Sequence, residues 1–334
     1  MHSSVSKLRL TLACGNYDRT RALLDGRVRP EGIDLNYLSL PVEETFFRML
    51  RHREFDVAEM SLSSYVLSLF QPPPPFVAIP AFPSRFFRHS CVYVHAGSGI
   101  RQPADLAGKK IGTPEYQMTA PVWIRGILAD EYAVPVASAV YVTGGQEEPG
   151  RSEKLPLALP PGIRVERIGQ KQTLSSMLDS GDIDAMYTAR QPSSFRSGDG
   201  RVKRLFDDFA AIERDYFRRT GIFPIMHTVV IRRDVYERHR WIAQSLYKAF
   251  CAGRQHACDE LAETAALSTM LPWLPAHLEE THREMGGDFW PYGLDRNRAT
   301  LATFLRYSHE QGLAKRRLEP HELFAPETLE SFKI

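Results

Sequence analysis

The groups best placed to move protons are histidines and acids that follow strand-like runs. His227 lies in Phe223-Pro224-Ile225-Met226-His227-Thr228-Val229, an apolar crossing strand, and an imidazole there suits acid–base work near neutrality. The same placement also fits a satisfied core histidine. Asp18, Glu115 and His89 are the other proton-transfer candidates, each just beyond a predicted strand. For holding an anion, Arg19, Arg85 and Arg190 stand at strand ends, where a planar guanidinium can grip a carboxylate through two hydrogen bonds. Arg21 and Arg88 read as solvent-facing. Ser61, Ser63 and Ser64 open a helix directly after a strand, so their hydroxyls and the free N–H groups of the first turn could receive an anion or simply cap the helix. Thr119 presents the same geometry at a later helix, with Tyr116 beside it in Thr113-Pro114-Glu115-Tyr116-Gln117-Met118-Thr119. Glu147 and Glu148 lie on a glycine-containing loop and read as solvated.

The elements that must position these groups alternate between strand and helix over the first 230 residues or so, which predicts an α/β fold. Strands are expected over 8–14, 32–37, 55–58, 77–79, 109–112, 140–143, 183–187 and 225–231. Helices are expected over 19–24, 43–53, 61–70, 117–132 and 174–179, with a mostly helical part from Asp234 to near Gly312. Pro72 to Pro75 reads as a rigid loop. One unit recurs: Met49-Leu50 followed by Phe55-Asp56-Val57-Ala58 returns as Met177-Leu178 followed by Ile183-Asp184-Ala185-Met186, and 184 − 56 = 177 − 49 = 128. Two related lobes are therefore expected, 1–105 with 229–334 as the first and 106–228 as the second. They would be joined near 101–108 and 221–229, with a ligand cleft at the carboxyl ends of the strands.

Composition narrows the class. The chain has 334 residues, long enough for two domains, and 42 basic against 40 acidic residues give a net charge of +2, so no bulk polyanion such as nucleic acid is expected. No run of 18 apolar residues occurs and no secretory h-region opens the chain, which predicts a cytoplasmic protein with no membrane contact. Cys14, Cys91, Cys251 and Cys258 read as free thiols, the last two too far apart along one helix to bridge. HExxH, GxSxG, a phosphate-binding loop and a GxGxxG following a strand are all absent.

Seven segments carry a resemblance: 10–14, 17–21, 55–65, 82–85, 114–119, 147–151 and 221–228. Together they make the chain similar to the 4,5-dihydroxyphthalate decarboxylase family, with matches in order from about Lys7 to Lys248. The resemblance implies the two-lobed, type II periplasmic-binding-protein-like fold. It also implies non-oxidative loss of carbon dioxide from a small aromatic dicarboxylate to give 3,4-dihydroxybenzoate. In that reaction Arg19, Arg85, Arg190, Ser61, Ser63, Ser64, Tyr116 and Thr119 would bind substrate, while His227, Glu115, His89 and Asp18 would serve catalysis. No cofactor is expected. A divalent metal on the catechol oxygens would call on His89, His227 and Glu115, and self-association into a homo-oligomer is left open. The competing classes are a solute-binding protein for an aromatic or dicarboxylic acid, and another aromatic-acid lyase on the same scaffold.

Overall fold

The structure, a computed structural model, describes residues 6–329. In chain order the strands are β1 (Leu8–Cys14), β2 (Ile33–Ser39), β3 (Val57–Ser61), β4 (Phe76–Arg85), β5 (Val92–His95), β6 (Lys110–Thr113), β7 (Val140–Thr143), β8 (Arg164–Arg167), β9 (Ala185–Tyr187), β10 (Val202–Arg204) and β11 (Ile225–Arg232). The helices are α1 (Asp18–Leu24), α2 (Val42–His52), α3 (Leu62–Ser68), α4 (Thr119–Tyr132), α5 (Leu174–Ser180), α6 (Ser193–Arg196), α7 (Phe209–Thr220), α8 (Arg233–Arg238), α9 (Ile242–Ala262), α10 (Leu274–Met285) and α11 (Arg298–Glu310). By packing, the chain divides into two compact units. The first holds the chain up to Arg85, His227–Leu301 and the part from Glu319 onward; the second holds Phe86–Met226 and Ala302–Leu318. The sequence put these crossings at 101–108 and 221–229. The first crossing comes earlier because β5 joins the sheet of the second unit through β9 and β10.

The first unit is built on a five-stranded sheet in the order β2-β1-β3-β11-β4. β1 runs parallel to β2 and to β3, whereas β11 pairs antiparallel with β3. β3 is central, and all five of its positions are buried, as expected of a strand covered on both faces. Its core includes Leu12, Val57, Met60, Ile79 and Val229. β4 runs ten residues, far beyond the predicted 77–79, and carries Pro80 and Pro83. Both prolines are tolerated because β4 is an edge strand, so the missing N–H groups cost the sheet little.

The second unit has a six-stranded sheet, β10-β5-β9-β6-β7-β8. β6 is parallel to β7 and β9, and β7 to β8, while β5 is antiparallel to both β9 and β10. Tyr93, Val142, Leu174, Met177, Leu178, Ile183, Met186 and Val202 form one of its cores. Strands β5, β8 and β10 and helix α7 carry no predicted counterpart. They are short or, in β8, charged and largely exposed, so no hydrophobic period marks the strands.

The repeat at offset 128 has a structural meaning. Asp56 and Asp184 each precede a strand, and each carboxylate accepts a backbone N–H from the neighbouring parallel strand: Thr11 N–H at 2.9 Å and Lys110 N–H at 2.8 Å. The register makes the two bonds equivalent, since Leu12 pairs with Val57 and Ile111 with Ala185. The helix before each strand ends on a left-handed residue, Arg53 at φ 50° and Gly181 at φ 81°, again 181 − 53 = 128 apart. Among the described residues, no helix is long and apolar enough to cross a membrane.

Candidate functional site

A carboxylate in the middle of a fully buried strand is the anomaly of the first unit. Glu59 lies on β3 with no exposed surface, and a buried acid persists only when its oxygens are satisfied. Glu59 Oε1 stands 2.6 Å from His227 Nδ1. Oε2 accepts the Gly15 N–H at 3.0 Å and faces the Cys14 thiol at 3.5 Å. The Tyr17 hydroxyl reaches both oxygens, at 3.0 and 3.1 Å. Burial pushes the Glu59 carboxyl up, but the His227 hydrogen bond and charge, followed by the Gly15 and Tyr17 bonds, outweigh it and hold it below the usual range. Glu59 is therefore an anion at neutral pH. Its charge, acting after burial, helps raise the Tyr17 hydroxyl and the Cys14 thiol well above their ordinary values, so both stay protonated.

Sheet topology brings these groups together. β11 runs antiparallel to β3, so its third residue, His227, has Ser61 at the end of β3 as its Cα partner. The site thus sits at the carboxyl ends of β1 and β3, where open α/β sheets hold ligands. The Phe46 ring meets His227 edge-on, with centroids 4.8 Å apart, and 17% of the histidine side chain remains exposed. Because an anionic Glu59 accepts from Nδ1–H, Nε2 is the ring nitrogen available for proton exchange. This is the carboxylate–imidazole logic of known catalytic triads. A Cβ at Gly15 would lie 2.4 Å from the Tyr17 ring, so a larger residue there would displace that ring.

The site extends through Tyr17 to Arg19. The Arg19 guanidinium lies over the Tyr17 ring at 4.4 Å and over the Trp290 ring at 4.5 Å. Its Nε donates to the Pro83 carbonyl and its Nη1 to Asp18 at 2.9 Å, while 18% of the side chain is exposed. Asp18 is more exposed, at 44%, and also accepts the Arg19 backbone N–H. Ser61 is the N-cap residue of the seven-residue α3, and Ser63 and Ser64 are buried in its first turn. Arg85 is buried within the first unit, its Nη2 donating to the Pro291 carbonyl at 2.7 Å and to the Asn297 amide oxygen. Burial pulls its guanidinium down to about 9, still cationic at neutral pH.

The remaining expected residues belong to the second unit. Glu115 is buried against the loop that joins β7 to β8: Arg151 Nη2 lies 2.7 Å from its Oε1, Lys154 Nζ reaches the same oxygen, and the Lys154 N–H donates to Oε2. Tyr116 is fully buried, its hydroxyl donating to the Gln311 carbonyl and its ring lying 3.9 Å under the Arg125 guanidinium. Thr119 starts α4 and is buried, whereas Arg190 is exposed. His89 is walled in by the rings of Tyr132, Phe206 and Tyr216, with neither ring nitrogen hydrogen-bonded. Burial, and then the Arg219 charge, pull it down to about 4, so it is neutral at physiological pH. Among the described residues, no group of three or more His, Cys, Asp or Glu side chains is placed to hold a metal.

Within the first unit, Glu59 is bonded directly to His227 and, through Tyr17, is linked to Arg19 and its partner Asp18. Within the second, Glu115 is paired with Arg151 and Lys154, and His89 packs among three rings. Sequence reasoning gave no role to Glu59, Tyr17 or Trp290. For Glu59 a signal existed: one acid inside the otherwise apolar run Val57-Ala58-Glu59-Met60.

No protein-family model matches the chain. It is 44% identical over 330 residues to a 4,5-dihydroxyphthalate decarboxylase from Comamonas testosteroni, covering 99% of this chain and 100% of that one. A 4,5-dihydroxyphthalate decarboxylase from Pseudomonas putida is 43% identical over 214 residues, covering 64% of this chain and 83% of that one. Among solved structures, the periplasmic aliphatic sulphonate binding protein SsuA from Escherichia coli aligns with a TM-score of 0.53 at 12% identity, covering 97% of this chain and 99% of that one. A ligand-binding component of an ABC-type import system from Staphylococcus aureus aligns with a TM-score of 0.53 at 11% identity, covering 96% of this chain and 98% of that one. The fold is thus that of periplasmic binding proteins.

Proposed function

The chain belongs to the 4,5-dihydroxyphthalate decarboxylase family and is a carboxy-lyase, and on that premise we propose that its Glu59–His227 pair handles the protons of the reaction. The reaction is the non-oxidative conversion of 4,5-dihydroxyphthalate to 3,4-dihydroxybenzoate and carbon dioxide. The observation that carries the assignment is the buried Glu59 carboxylate 2.6 Å from His227 Nδ1.

Each carboxylate of this substrate lies para to a hydroxyl. As that hydroxyl gives up its proton, charge flows through the ring to the carbon bearing the leaving carboxylate. His227, protonated, delivers a proton from Nε2 to that carbon. The carbon–carbon bond then breaks, its electron pair restores the aromatic ring, and the hydroxyl takes back a proton. One proton enters the product for each carbon dioxide released. Glu59 keeps the imidazole in the donating orientation and stabilises its positive charge. Arg19 takes the spare carboxylate on its Nη2 edge, which has no hydrogen-bond partner among the described residues. Because the ring itself stores the developing charge, the step calls for no separate electron sink.

The four cysteines are unpaired thiols, which supports a reducing compartment such as the cytoplasm for the reaction. The direct test incubates the pure protein with 4,5-dihydroxyphthalate in heavy water while following carbon dioxide. Release of carbon dioxide with one deuterium at the vacated ring carbon is the expected result. Tight binding of the diacid with no carbon dioxide released would overturn it and leave a binding protein.

A further inference from the structure

Trp290 lies in the segment between α10 and α11, where the sequence carries no strand or motif signal. Its indole N–H donates to the Phe82 carbonyl at 3.0 Å, and the next carbonyl along β4, that of Pro83, accepts Arg19 Nε. Two consecutive carbonyls of an edge strand thus hold the indole and the guanidinium side by side. The indole face lies 4.5 Å from the Arg19 guanidinium carbon, with the Tyr17 ring also in contact with that cation. A guanidinium bounded by aromatic faces, tied through Nε to Pro83 and through Nη1 to Asp18, keeps Nη2 for a ligand. The backbone beneath the indole is pinned as well. Arg254 Nη1 donates to the Trp290 carbonyl at 3.0 Å, and Arg85 Nη2 donates to the carbonyl of the next residue, Pro291, at 2.7 Å.

We propose that Trp290 is a positioning residue for the anion clamp, fixing the Arg19 guanidinium so that its Nη2 meets one carboxylate of the substrate. The assignment rests on Arg19 taking a carboxylate, as proposed above. Arg85, buried and bound to the Pro291 carbonyl, acts one step further back by holding the indole's backbone in place. This gives a strongly buried arginine a role in binding without substrate contact.

The test measures KM and kcat for 4,5-dihydroxyphthalate, and the dissociation constant for phthalate, which keeps both carboxylates and lacks the hydroxyls. Trp290→Leu removes the aromatic face and should raise KM and the phthalate constant together by about tenfold, with kcat within about twofold. Trp290→Phe retains a face and should recover most of that loss. In an Arg19→Lys background, which has no planar cation to stack, Trp290→Leu should add little, a non-additivity that a merely structural tryptophan would not give. Independent, multiplying effects of the two substitutions would overturn the inference, as would unchanged phthalate binding in Trp290→Leu. Should Trp290→Leu fail to fold, Trp290→Met, which fills space but also lacks an aromatic face, takes its place in the cycle with Arg19→Lys, with additive losses counting against the proposal. If the parent binds phthalate and the variants weaken it as expected, the clamp stands even where no carbon dioxide is released, and only the decarboxylation reading falls.

Discussion

Glu59 Oε1 and His227 Nδ1 lie 2.6 Å apart, and that carboxylate, wholly buried, has no water to compete for it. The pair joins two strands that run in opposite directions, β3 and β11, so its geometry is set by the sheet and not by a flexible loop. Rigid support of this kind is what a proton donor needs if it is to meet a ring carbon without first reorganising.

His227→Gln should lower kcat by about 10²–10⁴-fold and leave KM within a few-fold, the usual cost of removing a general acid. Glu59→Gln keeps the shape but offers the imidazole a neutral partner that can present either an oxygen or an amide, so a loss of about 10²-fold or more in kcat is expected. Steady-state kinetics with melting temperature on the same preparations checks both. A His227→Gln variant that turns over within threefold of the parent but melts early would make this histidine core filler.

Much of this arrangement was legible in the sequence. The offset-128 repeat marked two α/β units, and the period-2 run at Leu8–Cys14 located β1 and hence Tyr17 and Arg19 just beyond it. His227 stood out as a lone histidine in an apolar crossing strand. What escaped was tertiary. The strand expected over 77–79 stops short of Pro80 and Pro83, because nothing local says that β4 is an edge where prolines are tolerated. Glu115 has the right chemistry for a catalytic acid, but its cations arrive from Arg151 and Lys154, 36 and 39 residues later, and no spacing rule foresees that. Trp290 reaches Phe82 across 208 residues.

Arg19→Lys should raise KM by about tenfold to a hundredfold with kcat nearly kept, because a lysine preserves charge but neither stacks flat between Tyr17 and Trp290 nor offers a planar edge. Substrate saturation curves decide it. An unchanged KM removes Arg19 from the substrate.

Glu115→Gln is expected to act on stability. The carboxylate is 2% exposed and holds Arg151 and Lys154 of the loop 144–163. Neutralising it leaves two largely covered cations without their anion, a loss of about 3 kcal/mol. Chemical denaturation should show that loss, limited proteolysis should cut within 144–163, and turnover per folded molecule should match the parent. A 10²-fold fall in kcat with stability intact would return Glu115 to the catalytic set.

His89→Phe separates packing from catalysis by pH. In the fold this imidazole titrates near about 4, held down by burial among Tyr132, Phe206 and Tyr216 and then by the Arg219 charge, whereas in an unfolded chain it titrates near about 6.5. Between those values the unfolded chain binds a proton that the folded chain refuses. The parent should therefore lose stability as pH falls from about 6.5 to 4, by roughly 3 kcal/mol in total, and recover it as pH rises. A phenylalanine fills the same aromatic cage and has nothing to protonate. Glu213, which accepts the neighbouring Ser90 N–H and is pushed up by burial, titrates in the opposite sense in both proteins, so only the difference between the two curves reports on His89. Melting temperatures from pH 7.5 to 4 should diverge, with the variant the more stable at the acid end and its kcat at neutral pH unchanged. Parallel curves would show that the cage admits the charged ring after all, and a collapse of kcat would place His89 in the chemistry.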